Sequence, residues 1–398
     1  MKIPAANARL LVLIGLSVLC YSVMMGGRLA ISLTALKLTG STATAGVLMG
    51  IYAAVPIVIG LHAGRLIDRI GLRRPLVWTA ALALAGIVLP GLWQGLPALA
   101  AASVLNGFAF TVAAMALGNA AALLGTPEQR TSNIGWVFLG NAAGFALGPL
   151  MAGFGIDHLG HRACFLLLAL LPLASLILMA ACIRQVPQGA MPTRHRRPSG
   201  GLLRALNQPA MRPLVIVQVL AGSCLETFYF IVPLHGAQSG LSASTIGVIT
   251  SCAFVANCTA RTLLPVWTRH RDERRVMSVV FFIAAVSIFP FALTAQPWLL
   301  MLFAAGVGVC HGAAFPILTS LIYTASPPGR QGELSGARVM LTAGGVSFNQ
   351  FLAGGLSSLF GLVPVTWLVA AMALAAGWYS RRQAQALDPR RETFKQRR

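Results

Sequence analysis

The chain has 398 residues, of which 57% are hydrophobic and only 10% charged, and its mean hydropathy is +0.76. A soluble domain carries about 25% charged residues, so this composition excludes one and describes a protein that crosses a bilayer many times. The formal net charge of +21 does not argue for nucleic acid, because the basic residues lie between apolar runs.

Twelve apolar segments are predicted, at 10–35, 45–63, 75–92, 97–124, 132–155, 163–183, 213–236, 244–267, 276–294, 297–324, 334–359 and 364–379. About 20 apolar residues in a helix span the hydrocarbon core. The basic start, 1–9, leads into an apolar run without an evident small-residue cleavage site, so the first segment is expected to be a retained helix and not a signal peptide. Twenty-five of the thirty lysines and arginines fall in the termini and the loops after even-numbered segments. Only Lys37 and Arg162 fall in the other loops, and Arg28, Arg261 and Arg338 fall inside segments. By the positive-inside rule both termini are expected in the cytoplasm, in a multi-pass protein of the inner membrane.

The longest break, 185–211, is rich in Pro, Gly and Arg and reads as a cytoplasmic linker. It divides the chain into six-segment bundles at 1–184 and 212–380, followed by a basic cytoplasmic tail at 381–398. The halves repeat weakly at an offset near 200. Pro97 and Pro297 open the fourth and tenth segments, Arg130 and Arg330 precede the fifth and eleventh, and Asp68-Arg69…Arg73-Arg74 has a worn counterpart in Thr268-Arg269…Arg274-Arg275. The expected fold is an all-α membrane protein of twelve transmembrane helices, in two six-helix bundles related by a pseudo-two-fold axis.

The loop after the second segment reads Gly64-Arg65-Leu66-Ile67-Asp68-Arg69-Ile70-Gly71-Leu72-Arg73-Arg74. Gly64 would let one helix end lie close to a neighbour, Gly71 would permit a tight turn, and Asp68 would pair with arginines or face a positive helix N-terminus. The run resembles the G-x-x-x-D-R-x-G-R-R loop of major facilitator superfamily transporters, with Leu72 inserted before the last two basic residues. The fifth segment carries Gly135, Gly144, Gly148, Pro149 and Gly153, with Ala152 where a further glycine might stand. Small residues at four-residue steps let helix backbones approach, and Pro149 favours a bend. This pattern resembles the fifth-helix signature of twelve-helix drug–proton antiporters. The resemblance implies alternating access and export, with Gly64, Asp68, Arg69, Gly71, Arg73, Arg74, Gly135, Gly144, Gly148 and Pro149 as gate residues. The fourth helix departs from those relatives: Ser103 stands where they commonly carry an arginine, so a coupling role for that arginine cannot be carried over. Asn106 remains there as a neutral polar group.

Arg28 is costly within a bilayer, at roughly 2.5–3.5 kcal/mol on insertion scales. It shares a helix face with Tyr21 and Ser32, and it either faces a cavity or snorkels to the interface. Arg261 and Arg338 lie near cytoplasmic ends, where gating or snorkelling is expected. Of nine acids, Glu226 alone lies deep in a segment, on a face with Tyr229. A carboxyl in such surroundings is the candidate carrier of a coupled proton or a structural ion-pair partner, with His62 and His311 as alternative carriers. The candidate substrate-binding residues are Arg28, Tyr21, Ser32, Asn106, Glu226, Tyr229, His311 and Asn349.

The seven cysteines lack C-x-x-C spacing, so neither a disulfide framework nor a metal site is expected. No enzyme-like cluster appears and no cofactor is expected. The expected partners are a small-molecule substrate, protons and membrane lipid, not nucleic acid, and the expected state is a monomer. Proton-coupled export of a small anionic or zwitterionic compound or drug is the leading expectation. Proton-coupled uptake of an organic anion such as a carboxylate is the alternative within the class, and a non-transporting receptor or scaffold the alternative outside it.

Overall fold

The computed structural model describes residues 8–124, 127–188, 211–269, 272–325 and 331–386; within these, the side chains of 61, 65, 68, 127–131, 323–325, 331–339 and 383–386 lie outside the description. Arg130, Arg330, Asp68, Arg338, most of the linker and most of the tail fall outside it, wholly or in their side chains.

Twelve α-helices run through the described residues. The first half holds α1 (Ala8–Thr39), α2 (Thr42–Ile70), α3 (Arg73–Leu92), α4 (Leu96–Leu123), α5 (127–159) and α6 (161–182). The second holds α7 (Met211–Gln238), α8 (Ala243–Thr268), α9 (Glu273–Ile288), α10 (Pro297–Ala325), α11 (Gln331–Phe360) and α12 (Leu362–Ala386). The run Pro127–Cys182 is helical throughout save at Gly160, whose φ of +84° suits glycine and turns the chain between α5 and α6. Ten stretches of the described residues are long and apolar enough to cross a membrane, one of them, 132–185, holding both α5 and α6. At 30 residues α11 also has the length of a span.

Two helix pairs, α5–α8 and α2–α11, make the most extensive contacts between the halves, and they repeat each other at an offset of 201 residues. In one pair Gly153 of α5 lies against Gly247 of α8; in the other Gly354 of α11 lies against Gly46 of α2. Ser251 Oγ of α8 donates to Ala146 O of α5 at 2.7 Å, and Ser347 Oγ of α11 donates to Gly50 O of α2 at 2.9 Å. The hydroxyl has changed sides of the same contact. All four approaches use the start of α2 or α8 and the end of α5 or α11. The halves therefore close on the face bearing Lys37 and Arg162.

Toward the opposite face the helices stand apart. A Cβ placed on Gly118, Gly135 or Gly344 would meet nothing within 4 Å among the described residues. Among the described residues the same holds at Gly64, whose end of α2 lies on the open face. Gly71 takes φ +77° at the α2–α3 turn. Beside it Arg73 donates to Val186 O (2.8 Å), Arg184 O (3.0 Å) and Gln188 Oε1 (3.2 Å), which fastens the chain leaving α6 to the first half. Arg69 and Arg74 are exposed.

Within the first half, α5 packs on α1 through glycines. Gly140, Gly144 and Gly148 face the carbonyl oxygens of Ile14, Val18 and Ser22 in turn, where side chains would not fit. Gly308 and Gly312 of α10 face Ala253 O and Asn257 O of α8 in the same manner. Van der Waals contact at such small-residue steps replaces the hydrophobic driving force that lipid removes.

Candidate functional site

Arg28 and Glu226 form an ion pair across the two halves, Nη1 to Oε2 at 2.7 Å. Arg28 lies eleven residues before the end of α1 and Glu226 twelve before the end of α7, about 16 and 18 Å from the closed face at 1.5 Å per residue. The pair thus sits near the middle of a core about 30 Å thick. Arg28 is 8% exposed, so it does not snorkel. The Glu226 side chain keeps 25% of its surface exposed in mid-helix, which opens it to the cleft between the halves.

Four helices meet at this guanidinium. With its amide turned to satisfy both ends, Gln350 of α11 accepts from Arg28 Nη2 at 3.0 Å and donates to Met49 O of α2 at 2.6 Å. The Tyr52 ring of α2 lies 5.8 Å from Arg28 Cζ. Hydrogen bonds from both sides fix the planar fork in place, a task for which lysine has the charge but not the geometry. Ser32 lines a pocket of about 20 Å³ below Arg28, together with Met49 and Tyr229. That volume holds one water molecule.

An aromatic stack lies at the same level and spans the halves. Phe145 of α5 stacks on Phe254 of α8 at 4.7 Å and 7°, and Phe254 stacks on Tyr229 of α7 at 4.7 Å and 13°. Tyr21 of α1 meets Phe145 edge-on at 4.8 Å, and Phe110 of α4 at 5.1 Å. The Tyr229 hydroxyl reaches His311 Nδ1 of α10 at 3.5 Å. Arg28, Glu226, Tyr229 and His311 are thereby brought together, with Ser32 beneath them; Tyr21, seven residues from Arg28 on α1, joins them only through Phe145 and Phe254.

Two other candidates stand elsewhere. Asn106 donates to Ala102 O of its own helix and lines a pocket of about 40 Å³ inside the first half, with Tyr52, Thr79 and Phe110. Its Oδ1 and the Tyr52 hydroxyl have no partner there. Asn349 donates to Thr227 Oγ1 at 2.7 Å and to Ser223 O at 3.4 Å, which commits its amide to the α7–α11 contact. His62 is exposed near the open end of α2. Of the gate candidates, Gly144, Gly148 and Pro149 lie in tight contacts with α1 or α8, and Gly135 makes no such contact among the described residues.

One group at the closed face gave no signal in the sequence. Asp157, near the end of α5, accepts from Ala243 N (3.0 Å), Ser244 N (2.7 Å) and Ser244 Oγ (2.5 Å) at the start of α8. A carboxylate there satisfies free helix N–H groups and faces the positive end of the helix dipole. Partial burial pushes the Asp157 carboxyl up, but the hydrogen bonds from Ser244 and Ala243 outweigh it and hold it below its ordinary 3.8. The position 201 residues on is Ser358, whose hydroxyl turns back to Gly355 O. In that second contact Ser357 Oγ and Thr42 Oγ1 meet at 2.8 Å. One latch is charged and its counterpart neutral.

Comparison with known proteins gives this arrangement a setting. The family model for the Major Facilitator Superfamily matches residues 12–348 and, in a second match, 214–397. The chain is 25% identical over 331 residues to the multidrug resistance protein MdtG of Dickeya zeae (strain Ech586), covering 80% of this chain and 78% of that one. It is 26% identical over 280 residues to the MdtG of Salmonella typhi, covering 66% of each chain, just under two thirds. Among solved structures, a peptide transporter POT in complex with sulfate superposes with a TM-score of 0.79 at 14% identity, over 97% of this chain and 96% of that one. An inward-facing, unoccupied bacterial homologue of the human lysosomal transporter Spinster superposes with a TM-score of 0.74 at 15% identity, over 95% and 97%. These likenesses in structure concern the fold. With the family model matched over most of its length and the two-bundle fold in place, the chain belongs to the Major Facilitator Superfamily and is a membrane transporter, not an enzyme.

Proposed function

We propose that this transporter works by alternating access and exports a small zwitterionic or anionic compound in exchange for protons, with Glu226 as the proton carrier. The observation that carries the reading is the Arg28–Glu226 pair across the two halves. A proton on Glu226 removes the charge that holds Arg28, and breaking such a pair by neutralising one member costs several kcal/mol when it is fully buried. The ammonium of a zwitterion competes with that proton for the Glu226 carboxylate, while its acid group takes Arg28. Competition at one carboxylate is what an exchanger requires. The multidrug resistance proteins among its relatives support export.

The distribution of basic residues supports an open face in the cytoplasm and a Lys37–Arg162 face outside. On that assignment the described conformation is inward-facing, in a multi-pass protein of the inner membrane with both termini inside.

The same pair supports a second reading, uptake of an organic anion together with a proton. An anion that occupies Arg28 displaces Glu226, and the freed carboxylate then gains a proton, so both move in one direction. The sign of the pH gradient separates the two. A compound identified by a thermal-shift screen of anionic metabolites and antibacterials would be followed in proteoliposomes with either side acidic. Exchange predicts accumulation on the acidic side, and cotransport predicts accumulation on the alkaline side. Glu226→Gln mimics the protonated form and is expected to abolish gradient-driven accumulation while still permitting substrate exchange. Uphill transport by the glutamine variant with an unchanged pH profile would move the coupling to another residue, His311 first.

A further inference from the structure

We infer that Arg261 is the residue that first captures the substrate's anionic group, and that the substrate is an organic acid with a flat, apolar body. The inference rests on the transporter reading but not on proton coupling, because Arg261 is not part of the Arg28–Glu226 pair. Arg261 lies on α8, seven residues beyond Phe254, about 10 Å nearer the open face along the helix. A compound entering from that face meets Arg261 before it reaches the aromatic stack and the ion pair.

The sequence alone suggested a gating or snorkelling arginine. The structure gives it different surroundings. Its Nε is buried with no hydrogen-bond partner, and no carboxylate pairs with it among the described residues. Its guanidinium instead faces the Phe138 ring of α5, in the opposite half, at 5.9 Å from the ring centroid. It is also close enough to Tyr21 and His311 for its charge to act on both. A guanidinium resting on an aromatic face leaves donors at its edge, and that edge matches a carboxylate or phosphonate. A cation with no counter-ion among the described residues, set against an aromatic ring, attracts an anion more strongly than a fully solvated one does.

The body of the ligand follows from what surrounds the charge. Phe138 is 46% exposed although it projects toward the other half, so one apolar ring stands in the cleft beside the cation. Tyr21 lies level with Arg261 along the helices, and Phe145, further in, leads from it to the stack with Phe254. Arg28 is occupied by Glu226 and Gln350 in this conformation, whereas Arg261 has no ion-pair partner among the described residues. An acid group on Arg261 with a ring against Phe138 and Tyr21 uses both features. A bulky cation is disfavoured at the same place by the charge of Arg261.

Titration calorimetry of the purified full-length protein in detergent tests this with four probes: 2-naphthoate, its neutral isostere 2-naphthamide, the cation 2-naphthylmethylammonium, and acetate as an acid without a body. Wild type is expected to bind naphthoate at least tenfold more tightly than each of the other three. Arg261→Gln is expected to remove that preference, and Arg261→Lys to retain part of it. Phe138→Leu is expected to weaken naphthoate without changing acetate. Monodispersity and an unchanged melting temperature of Arg261→Gln show that the variant is folded, and Arg261→Lys is the fallback if it is not. Naphthoate binding by Arg261→Gln at wild-type strength overturns the inference, as does wild-type affinity for naphthamide or the ammonium equal to that for naphthoate. If Arg28→Gln loses naphthoate while Arg261→Gln keeps it, the anion sits at the ion pair; the inference then fails and the proposed function stands.

Discussion

Replacing Asp157 by asparagine should loosen the closed face by a calculable amount. The carboxylate receives two backbone N–H groups and one hydroxyl from the start of α8, all across the boundary between the halves. Loss of an N-terminal cap costs about 1 kcal/mol, within a range of roughly 0.5–2, and a charge at a helix N-terminus adds about 0.3–1 kcal/mol. Asparagine keeps one acceptor oxygen and loses the charge. Asp157 is exposed, so solvent screening favours the lower end, and the expected weakening is about 0.5–1 kcal/mol, or roughly two- to fivefold in the closed-to-open ratio. Alanine, which leaves all three donors without the carboxylate, should cost about 1–2 kcal/mol. Spin labels at Leu38 of α1 and Gln238 of α7, on the closed face of each half, would read the distance distribution in a background without the seven native cysteines. Its long-distance fraction should rise by the stated factor in Asp157→Asn and further in Asp157→Ala.

The pH dependence of that latch has a defined sign. The Asp157 carboxyl lies below 3.8 in the closed conformation and returns toward 3.8 once the face opens. Its contribution to closure is therefore complete above about pH 4 and is lost as pH falls through the lowered value. Between pH 5 and 8 the difference between wild type and Asp157→Asn should be constant. His158, His161 and Lys37 lie on the same face, and burial, then the charge of Lys37, pushes His161 below its ordinary value. His161 bonds Thr34 within the first half, so its titration should appear equally in both proteins. Identical distance distributions in wild type and Asp157→Ala at pH 7 would refute the latch.

Arg28→Ala should lower the melting temperature in detergent, with a loss of about 2–4 kcal/mol, below the fully buried range because Glu226 remains partly exposed. Arg28→Lys should recover about half of it, since the ion pair survives and the bond to Gln350 does not. Gly148→Val would set a side chain against Ser22 O and the Gly26 amide, and should cost about 1–3 kcal/mol or prevent assembly. Gly135→Ala meets open space and should be neutral or slightly stabilising by the same thermal assay.

The fold was legible because lipid imposes it: span length, loop charge and the glycine steps of α5 are local properties that a sequence displays directly. The site was legible by residue and not by pairing. Arg28 and Glu226 each stand out as charges in apolar segments, but they are 198 positions apart, and helix periodicity relates residues only within one helix. Periodicity likewise grouped Asn349 with the polar face of α11 without showing that Thr227 and Ser223 would claim its amide. Gln350, its neighbour, escaped notice although it binds Arg28. Asp157 carries no local mark at all, since its partners are the backbone N–H groups of a helix 86 residues on. Arg261 read as an end-of-helix arginine because distance along α8 does not reveal that Phe138 of the other half faces it.

The glycine steps between α1 and α5 have a mechanical meaning. Three side-chain-free positions at four-residue intervals sit on three carbonyls at the same interval, and two such rulers in register cannot slide by less than a turn, about 5.4 Å. Asp157 and Arg28 ride on these two helices. They are therefore fixed points on one stiff arm, the latch at its tip and the ion pair near its middle. Lifting the tip from α8 draws the middle away from α7 in the same movement. Signal and strut are then one object, and Glu226 would sense the state of the outer face with no chain of intermediate side chains to carry the message.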